Sequence, residues 1–200
     1  MELPRKFGNR PNGRVRLKYN FNGNNTELDY FISRAPAVVG VVFAITGDGI
    51  MNVLISKRSD KMRDEPGKVG VPCGYLDWEE TRHEGMMREV YEETSLYLPD
   101  YEKYLLYNNN EQAFKIKDKP KEDKRQNVSH IYLSVYDFRG ENTDKFPIDI
   151  EKFTCKETAW VKWFTMTEFF TTYMNYEWAF HHDETIKLAL EFFNKNFEIK

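Results

Sequence analysis

The sequence predicts an α/β fold in which a mixed β-sheet lies between helices. A run of mostly β-branched residues at 37–46 is typical of a strand that is buried on both faces. A glutamate-rich segment within residues 74–96 has helical periodicity. Two further helical segments, at 167–173 and 182–193, close the chain. Strands followed by helices in this order favour a sheet that is covered on both faces.

The first part of the chain predicts an arm and a hairpin. Residues 1–13 mix prolines, glycines and basic residues, which is typical of a loosely ordered arm. Residues 14–21 alternate apolar and polar side chains, and an Asn-Gly-Asn-Asn turn separates them from a second strand at 28–32. We therefore assign residues 1–34 to the arm and β-hairpin, and residues 35–200 to the main domain.

The central strand has a partner and leads to the main helix. Residues 51–57 return after a Gly-Asp-Gly turn, and the polar residues 59–70 predict a loop that leads to Gly74. Thr81 is the predicted N-cap of the helix, and Glu84, three residues later, completes a capping box.

Further strand segments follow the helix. They are predicted at 104–107, within 111–117, at 128–138 and at 160–164. The sequence contains no repeat and no linker that would separate two folded domains, so the main domain is predicted to be one unit.

Composition narrows the class of protein. The chain has 200 residues, a net charge of −3 and 16% aromatic residues, which suits a well-packed domain and disfavours non-specific nucleic-acid binding. Cys73 and Cys155 are its two cysteines, too few for a disulfide framework. No signal peptide or membrane-spanning run is evident. These features predict a soluble, cytoplasmic protein without membrane partners.

Three glutamates define the chemistry of the main helix. At about 100° per residue, Glu89, Glu92 and Glu93 fall on one helix face. Carboxylates three and four residues apart repel one another, so a neighbouring cation is needed to offset the repulsion. Mg²⁺ takes oxygen ligands, and we therefore predict a metal-binding helix.

The spacing of residues 74–96 resembles the Nudix box, G-x5-E-x7-R-E-U-x-E-E-x-G-U, where U is a bulky aliphatic residue. The positions that match are Gly74, Glu80, Arg88, Glu89, Val90, Glu92, Glu93 and Leu96. Ser95 departs from the pattern, because the box has a glycine there. A glycine would take a positive φ at the helix C-terminus, so serine is expected to cost about 1 kcal/mol or to shift the helix end.

The resemblance implies a Nudix-type α/β/α sandwich and a Mg²⁺-dependent pyrophosphatase, with Mn²⁺ as a substitute. By this resemblance Glu89, Glu92 and Glu93 are the metal ligands, and the carbonyl of Gly74 is a further candidate. Arg88 is expected to hold the acidic residues in position, and Glu80 to pair with Arg88.

The general base is left open between several carboxylates. Glu157, in the loop before a late strand, is the first candidate, since several Nudix proteins use a glutamate at that place. Glu141 and Asp144 are alternatives. In other relatives a box glutamate is the base, and the role would then fall to Glu92.

The candidates for substrate binding flank the box. Arg58 and Arg63 lie upstream of it and Tyr75 follows its glycine. The upstream segment partly resembles a motif of coenzyme A pyrophosphatases, but Val71 and Cys73 replace two of its residues. The charged stretch 115–126 favours a solvated loop, with contact to the phosphates of a larger substrate as the alternative.

The leading function is hydrolysis of a nucleoside diphosphate derivative such as ADP-ribose, NADH or a similar dinucleotide. The alternatives are removal of pyrophosphate from an RNA 5′-end or a nucleoside triphosphate, cleavage of coenzyme A, and a non-catalytic nucleotide sensor. A small nucleotide is the expected partner, and a homodimer is a candidate assembly. The box does not specify the substrate, because the loops and the N-terminal arm shape the pocket.

Overall fold

A computed structural model gives the architecture of the chain. It describes residues 13–21, 23–32, 36–77, 79–109, 112–118, 127–141, 150 and 153–197. The predicted arm before Gly13, Trp78, Asp144 and most of the charged stretch 115–126 lie outside the described residues.

The N-terminal hairpin predicted from the sequence is confirmed. Strands β1 (Gly13–Phe21) and β2 (Asn24–Ile32) pair antiparallel as a two-stranded sheet, and Gly23 takes φ 84° in the turn between them. The second strand begins four residues earlier than the apolar pattern indicates, because the polar residues of the turn region also pair across the hairpin.

The main sheet is mixed, as predicted. It contains eight strands: β3 (Ala37–Ile45), β4 (Met51–Arg58), β5 (Val69–Gly70), β6 (Cys73–Tyr75), β7 (Leu105–Asn108), β8 (Lys115–Lys117), β9 (Ser129–Asp137) and β10 (Thr158–Thr165). The order of the five main strands is β10-β4-β3-β9-β7. β3 and β9 run parallel, and the other pairs are antiparallel.

Helices cover both faces of this sheet, which confirms the α/β/α sandwich. Helix α1 (Arg82–Thr94) packs on one face, while α2 (Met166–Thr172) and α3 (His182–Asn196) pack on the other. Alternate residues of β3 supply the two cores, because neighbouring side chains of a strand point to opposite faces. No described helix is long and apolar enough to cross a membrane.

Two short strands were missed by the sequence pattern. The segment 59–70 was predicted to be a loop throughout, but Val69–Gly70 pairs with β4. Cys73–Tyr75 pairs with β3. Both strands are too short to show an alternating pattern, and their pairing is fixed by β3 and β4 rather than by local preference.

Helix α1 begins and ends at specific local signals. Thr81 and Glu84 form the predicted capping box, each side chain accepting a backbone N–H of the other residue. Ser95 ends the helix with φ 62° and ψ 7°, and its N–H donates to the Tyr91 carbonyl. Gly40 lets the helix lie against β3, since a Cβ there would come 2.8 Å from Val90 Cγ2.

Replacing Ser95 by glycine is expected to stabilise the protein. A non-glycine residue in the left-handed region costs about 1–2 kcal/mol, part of which is offset by the greater unfolded-state freedom of glycine. We expect Ser95→Gly to raise the free energy of unfolding by about 0.5–1 kcal/mol, measured by urea denaturation. Ser95→Ala keeps the strained backbone and is the control without gain. An unfolding midpoint for Ser95→Gly at or below that of the parent would contradict this account.

Candidate metal and nucleotide site

The face of α1 that carries the carboxylates lies against the strand β6. Gly74, on this strand, touches the Glu89 side chain so closely that a Cβ at this position would overlap the carboxylate. A residue with any side chain would displace Glu89. The glycine of the box is therefore needed here for close approach, and not for a positive φ.

Arg88 links the carboxylates to the segment that precedes the helix. Its Nε and Nη2 donate to the two carboxylate oxygens of Glu80 at 3.0 and 2.8 Å, and Nη2 also donates to the Tyr75 carbonyl at 2.9 Å. Nη1 donates to Glu89 at 2.8 Å and to Glu92 at 3.0 Å. Burial lowers the pKa of Arg88, but the bond to Glu80 and the charge of Glu89 outweigh burial and raise it. The guanidinium therefore stays charged and fixes three acidic side chains in place.

Glu89 and Glu93 are buried as a pair. Burial raises the pKa of Glu89 to about 7, although the charge and hydrogen bond of Arg88 act in the opposite direction. Burial also raises the pKa of Glu93 well above its usual value, and the charge of Glu89 adds to this effect. Arg58 and the backbone N–H of Cys73 partly offset it. The protein thus keeps two neighbouring carboxylates where their negative form is poorly solvated.

This set of donors fits a hard divalent cation, because buried carboxylate oxygens gain the charge they lack when such an ion binds. Within the described ranges, however, no three His, Cys, Asp or Glu side chains converge at metal-binding geometry. Glu89 and Glu92 each turn an oxygen toward Arg88 instead. Joint coordination by Glu89, Glu92 and Glu93 would therefore require these side chains to rotate.

The ends of two paired strands bring Arg58 and Glu157 to the same place. Glu157 directly precedes β10, whose first residue, Thr158, pairs with Arg58 at the end of β4. The carbonyl of Glu157 accepts the N–H of Ser59 at 2.7 Å. The charge of Glu157 raises the pKa of both Glu89 and Glu93, and the charge of Arg58 lowers that of Glu93, so both side chains face the buried pair.

The start of α3 forms another wall. Phe180 and His181 have φ 52° and 57°, consecutive left-handed values that usually cost about 1–3 kcal/mol each. The Phe180 ring lies 5.3 Å from the Arg58 guanidinium. His182 is buried, and its Nδ1 accepts the N–H of Val71 at 3.1 Å. Gly70 leaves room for this imidazole, since a Cβ there would come 2.5 Å from Nδ1.

One cavity of about 440 Å³ joins these groups, a volume within the usual range for small-molecule sites. It contains most of the residues predicted from the sequence: Arg58, Gly74, Tyr75, Arg88, Glu89, Glu92, Glu93 and Glu157. Glu80 lies behind Arg88 and is bound to it. Lys117, from the charged stretch 115–126, also lines the cavity. Other lining residues were not singled out by the sequence, among them Asn127, Ser129, Phe180 and Thr185.

Some sequence candidates lie elsewhere. Arg63 is exposed and does not line the cavity. Glu141 accepts the Tyr104 hydroxyl at 2.6 Å, on a different part of the surface. His182, at the start of α3, lines the cavity and holds the Val71 backbone three residues before Gly74. No local signal would have shown this contact, because its partners are 111 residues apart.

Comparison with solved structures identifies the fold. The NUDIX domain of Shewanella oneidensis NrtR, complexed with ADP ribose, is 20% identical and has a TM-score of 0.53 over 80% of this chain and 89% of its own. A Caenorhabditis elegans Ap4A hydrolase is 16% identical, with a TM-score of 0.55 over 82% of this chain and 99% of its own.

A third similar structure is a bifunctional NMN adenylyltransferase/ADP ribose pyrophosphatase from Francisella tularensis, complexed with AMP and a Mn ion. It is 19% identical, with a TM-score of 0.55 over 78% of this chain and 41% of its own. No curated protein matches the chain in sequence.

A family model gives the assignment that structural likeness at this identity does not. The model of the NUDIX domain matches residues 34–188. This range includes the whole of α1 and the cavity residues that precede and follow α1 in the sequence. The predicted enzyme class, a pyrophosphatase acting on phosphorus-containing anhydrides, is confirmed at this level. The chain belongs to the NUDIX domain family.

Proposed function

We propose that this protein hydrolyses the pyrophosphate linkage of a nucleoside diphosphate derivative such as ADP-ribose, NADH or a similar dinucleotide, with Mg²⁺ or Mn²⁺ bound. The observation that carries the proposal is the buried pair Glu89 and Glu93 in one cavity with Arg58 and Glu157. The carboxylates of the pair suit a divalent metal ion, and the Arg58 guanidinium beside them suits a phosphate group. That combination is what diphosphate cleavage requires.

The ligands that would hold the metal are the carboxylates of Glu89, Glu92 and Glu93 and the carbonyl of Gly74. When bound, a divalent ion offsets the charge of the phosphates and lowers the pKa of a coordinated water. The chain itself supplies the dry environment, because Glu89 and Glu93 are both buried. Arg88 and Glu80 keep the helix face in one orientation.

The remaining groups act on substrate and water. Arg58 is placed to bind a phosphate oxygen, since its Nε is held by the Asp64 carbonyl at 3.1 Å while its guanidinium lies beside Phe180. Glu157 is exposed and lines the same cavity as the carboxylates of α1. We assign to it the removal of a proton from the attacking water.

Similar proteins support the class of substrate. The similar structures include a complex with ADP ribose, a complex with AMP and a Mn ion, and an Ap4A hydrolase, and each of these nucleotides contains an adenosine phosphate. We therefore prefer a dinucleotide-like diphosphate to an RNA 5′-end. The alternative of a non-catalytic sensor is less well supported, because the box keeps every acidic position.

Glu93→Gln tests the metal site through both turnover and stability. Loss of a metal ligand should lower the rate of hydrolysis of the preferred substrate by about 100-fold or more. Even mutation of a residue that only orients a metal ligand typically lowers metal affinity or activity by about 10–100-fold. Without metal and at alkaline pH, where Glu93 is ionised in spite of its raised pKa, the same change removes a buried charge next to Glu89. The variant should then melt about 2–4 °C higher than the parent if the gain is about 1 kcal/mol.

The measurement uses a panel of ADP-ribose, NADH, coenzyme A, Ap4A, nucleoside triphosphates and 5′-triphosphate RNA, with Mg²⁺ or Mn²⁺. Glu191→Gln, at an exposed position of α3, is the matched control and should change neither turnover nor melting temperature. If the parent protein binds ADP-ribose but cleaves no member of the panel, the proposed hydrolase activity is refuted and the chain is better described as a non-catalytic nucleotide sensor.

Glu157→Gln tests the general base. Loss of a positioned base should lower kcat by about 10²–10⁴-fold with little change in KM. Glu141→Gln is the control, because Glu141 lies away from the cavity and should leave kcat unchanged. A kcat for Glu157→Gln that stays within a factor of two of the parent would remove Glu157 from the mechanism.

Gly74→Ala tests the contact between the glycine and Glu89. The added methyl group should push the Glu89 carboxylate from its position, and a displacement of this kind costs about 100-fold in rate. Gly140→Ala is the matched control, since a Cβ at Gly140 meets no atom within 4 Å. Circular dichroism should show both variants folded. Full activity in Gly74→Ala would show that Glu89 can move without loss.

A further inference from the structure

The wall of the cavity formed by the end of β8 and the start of β9 carries a polar group that the proposed catalysis does not use. Asn127 lines the cavity just before β9, together with Ser129. Its Nδ2 donates to the Tyr75 hydroxyl at 2.9 Å. Its Oδ1 is buried and has no hydrogen-bond partner among the described residues.

An acceptor in this situation is costly. A buried carbonyl oxygen that has left water without a replacement partner destabilises the protein, and native structures contain few such groups. The Asn127 amide is also held in one orientation, because its other end is bound to Tyr75. A ligand that presents an N–H or O–H to Oδ1 would satisfy the oxygen.

The position of Asn127 relates it to the reacting centre. The Tyr75 hydroxyl accepts a hydrogen bond from Asn127 Nδ2, and the Tyr75 backbone carbonyl accepts one from Arg88 Nη2 at 2.9 Å. Gly74, the residue before it, touches Glu89. The Asn127 amide is therefore linked through the Tyr75 side chain to β6, the strand that touches the Glu89 carboxylate. A ligand whose diphosphate lies at Glu89 would extend its nucleoside toward this wall.

A second polar contact of this wall joins two side chains of the protein to each other. Lys117 Nζ donates to Thr185 Oγ1 at 2.6 Å, which joins β8 to α3 across the cavity. Among the described lining residues, Asn127 is the one with a buried side-chain oxygen or nitrogen that lacks a partner.

We propose that Asn127 Oδ1 is a specificity determinant that accepts a hydrogen bond from a donor on the nucleoside half of the substrate. The donor is an N–H or O–H, supplied either by the amino group of an adenine base or by a ribose hydroxyl. This inference rests on the proposed function, because it takes the ligand to be a nucleoside diphosphate derivative.

The test is nucleotide binding rather than turnover. Calorimetric titration with Mg²⁺ compares AMP with three analogues that each lack one donor: purine riboside 5′-monophosphate, 2′-deoxyAMP and 3′-deoxyAMP. One analogue should bind about tenfold more weakly than AMP to the parent protein, since it leaves the acceptor unpaired. The analogue that loses affinity tells whether the base or the ribose supplies the donor.

Two variants separate recognition from a structural role. Asn127→Ala removes the acceptor, so AMP and the discriminated analogue should bind it within a factor of about two of each other. Asn127→Asp keeps an acceptor of the same shape and should retain the discrimination, even if both ligands bind more weakly. A general structural defect would weaken all four nucleotides alike and would leave their ratios unchanged.

Three results would overturn the proposal. They are equal affinity of the parent for all four nucleotides, discrimination that survives in Asn127→Ala, and absence of AMP binding. A different result would refute the proposed function, namely that the protein cleaves no pyrophosphate substrate. Cleavage of a dinucleotide without discrimination among the AMP analogues would refute the role of Asn127 alone.

Discussion

The burial of Glu89 and Glu93 side by side is the constraint on which the rest of the site depends. The guanidinium of Arg58 offsets the burial of Glu93 only in part. The guanidinium of Arg88 donates to Glu89, but four of its hydrogen bonds go to Glu80, the Tyr75 carbonyl and Glu92. It therefore cannot neutralise both buried carboxylates. Buried ion networks of this kind contribute little net stability, because the cost of desolvation offsets the attraction. The apolar core between α1 and the sheet has to hold the helix in place instead.

That constraint explains the two glycines that contact α1. Gly40 allows the helix to approach β3, and Gly74 leaves room for the Glu89 carboxylate. Neither residue has a positive φ, so glycine is needed at both places for space. The reverse holds at the end of the helix, where Ser95 takes a conformation that favours glycine. The helix thus keeps close packing beneath its carboxylates and accepts strain at its exposed end.

The sequence predicted the parts of the site that depend on local spacing. The carboxylate face of α1, its capping box and its strained C-terminus follow from positions a few residues apart. The pairing of β4 with β10, which brings Arg58 near Glu157, depends on the register of distant strands. The roles of His182 and Asn127 depend on contacts 111 and 52 residues apart along the chain, and nothing near either residue marks them. Arg63 is exposed and does not line the cavity, and periodicity could not have shown this because it does not tell which side of a loop faces the cavity.

This division also separates chemistry from specificity. The carboxylate side of the cavity comes largely from α1 and the strand before it, so a short motif is enough to identify it. The opposite side is assembled from the starts of β9 and α3 and from the end of β8. The strained Phe180 and His181 belong to this second side, where tertiary contacts hold an unfavourable backbone. Under the role proposed for Asn127, the choice of nucleoside is made on this second side of the cavity, and the spacing of the acidic motif carries no information about it.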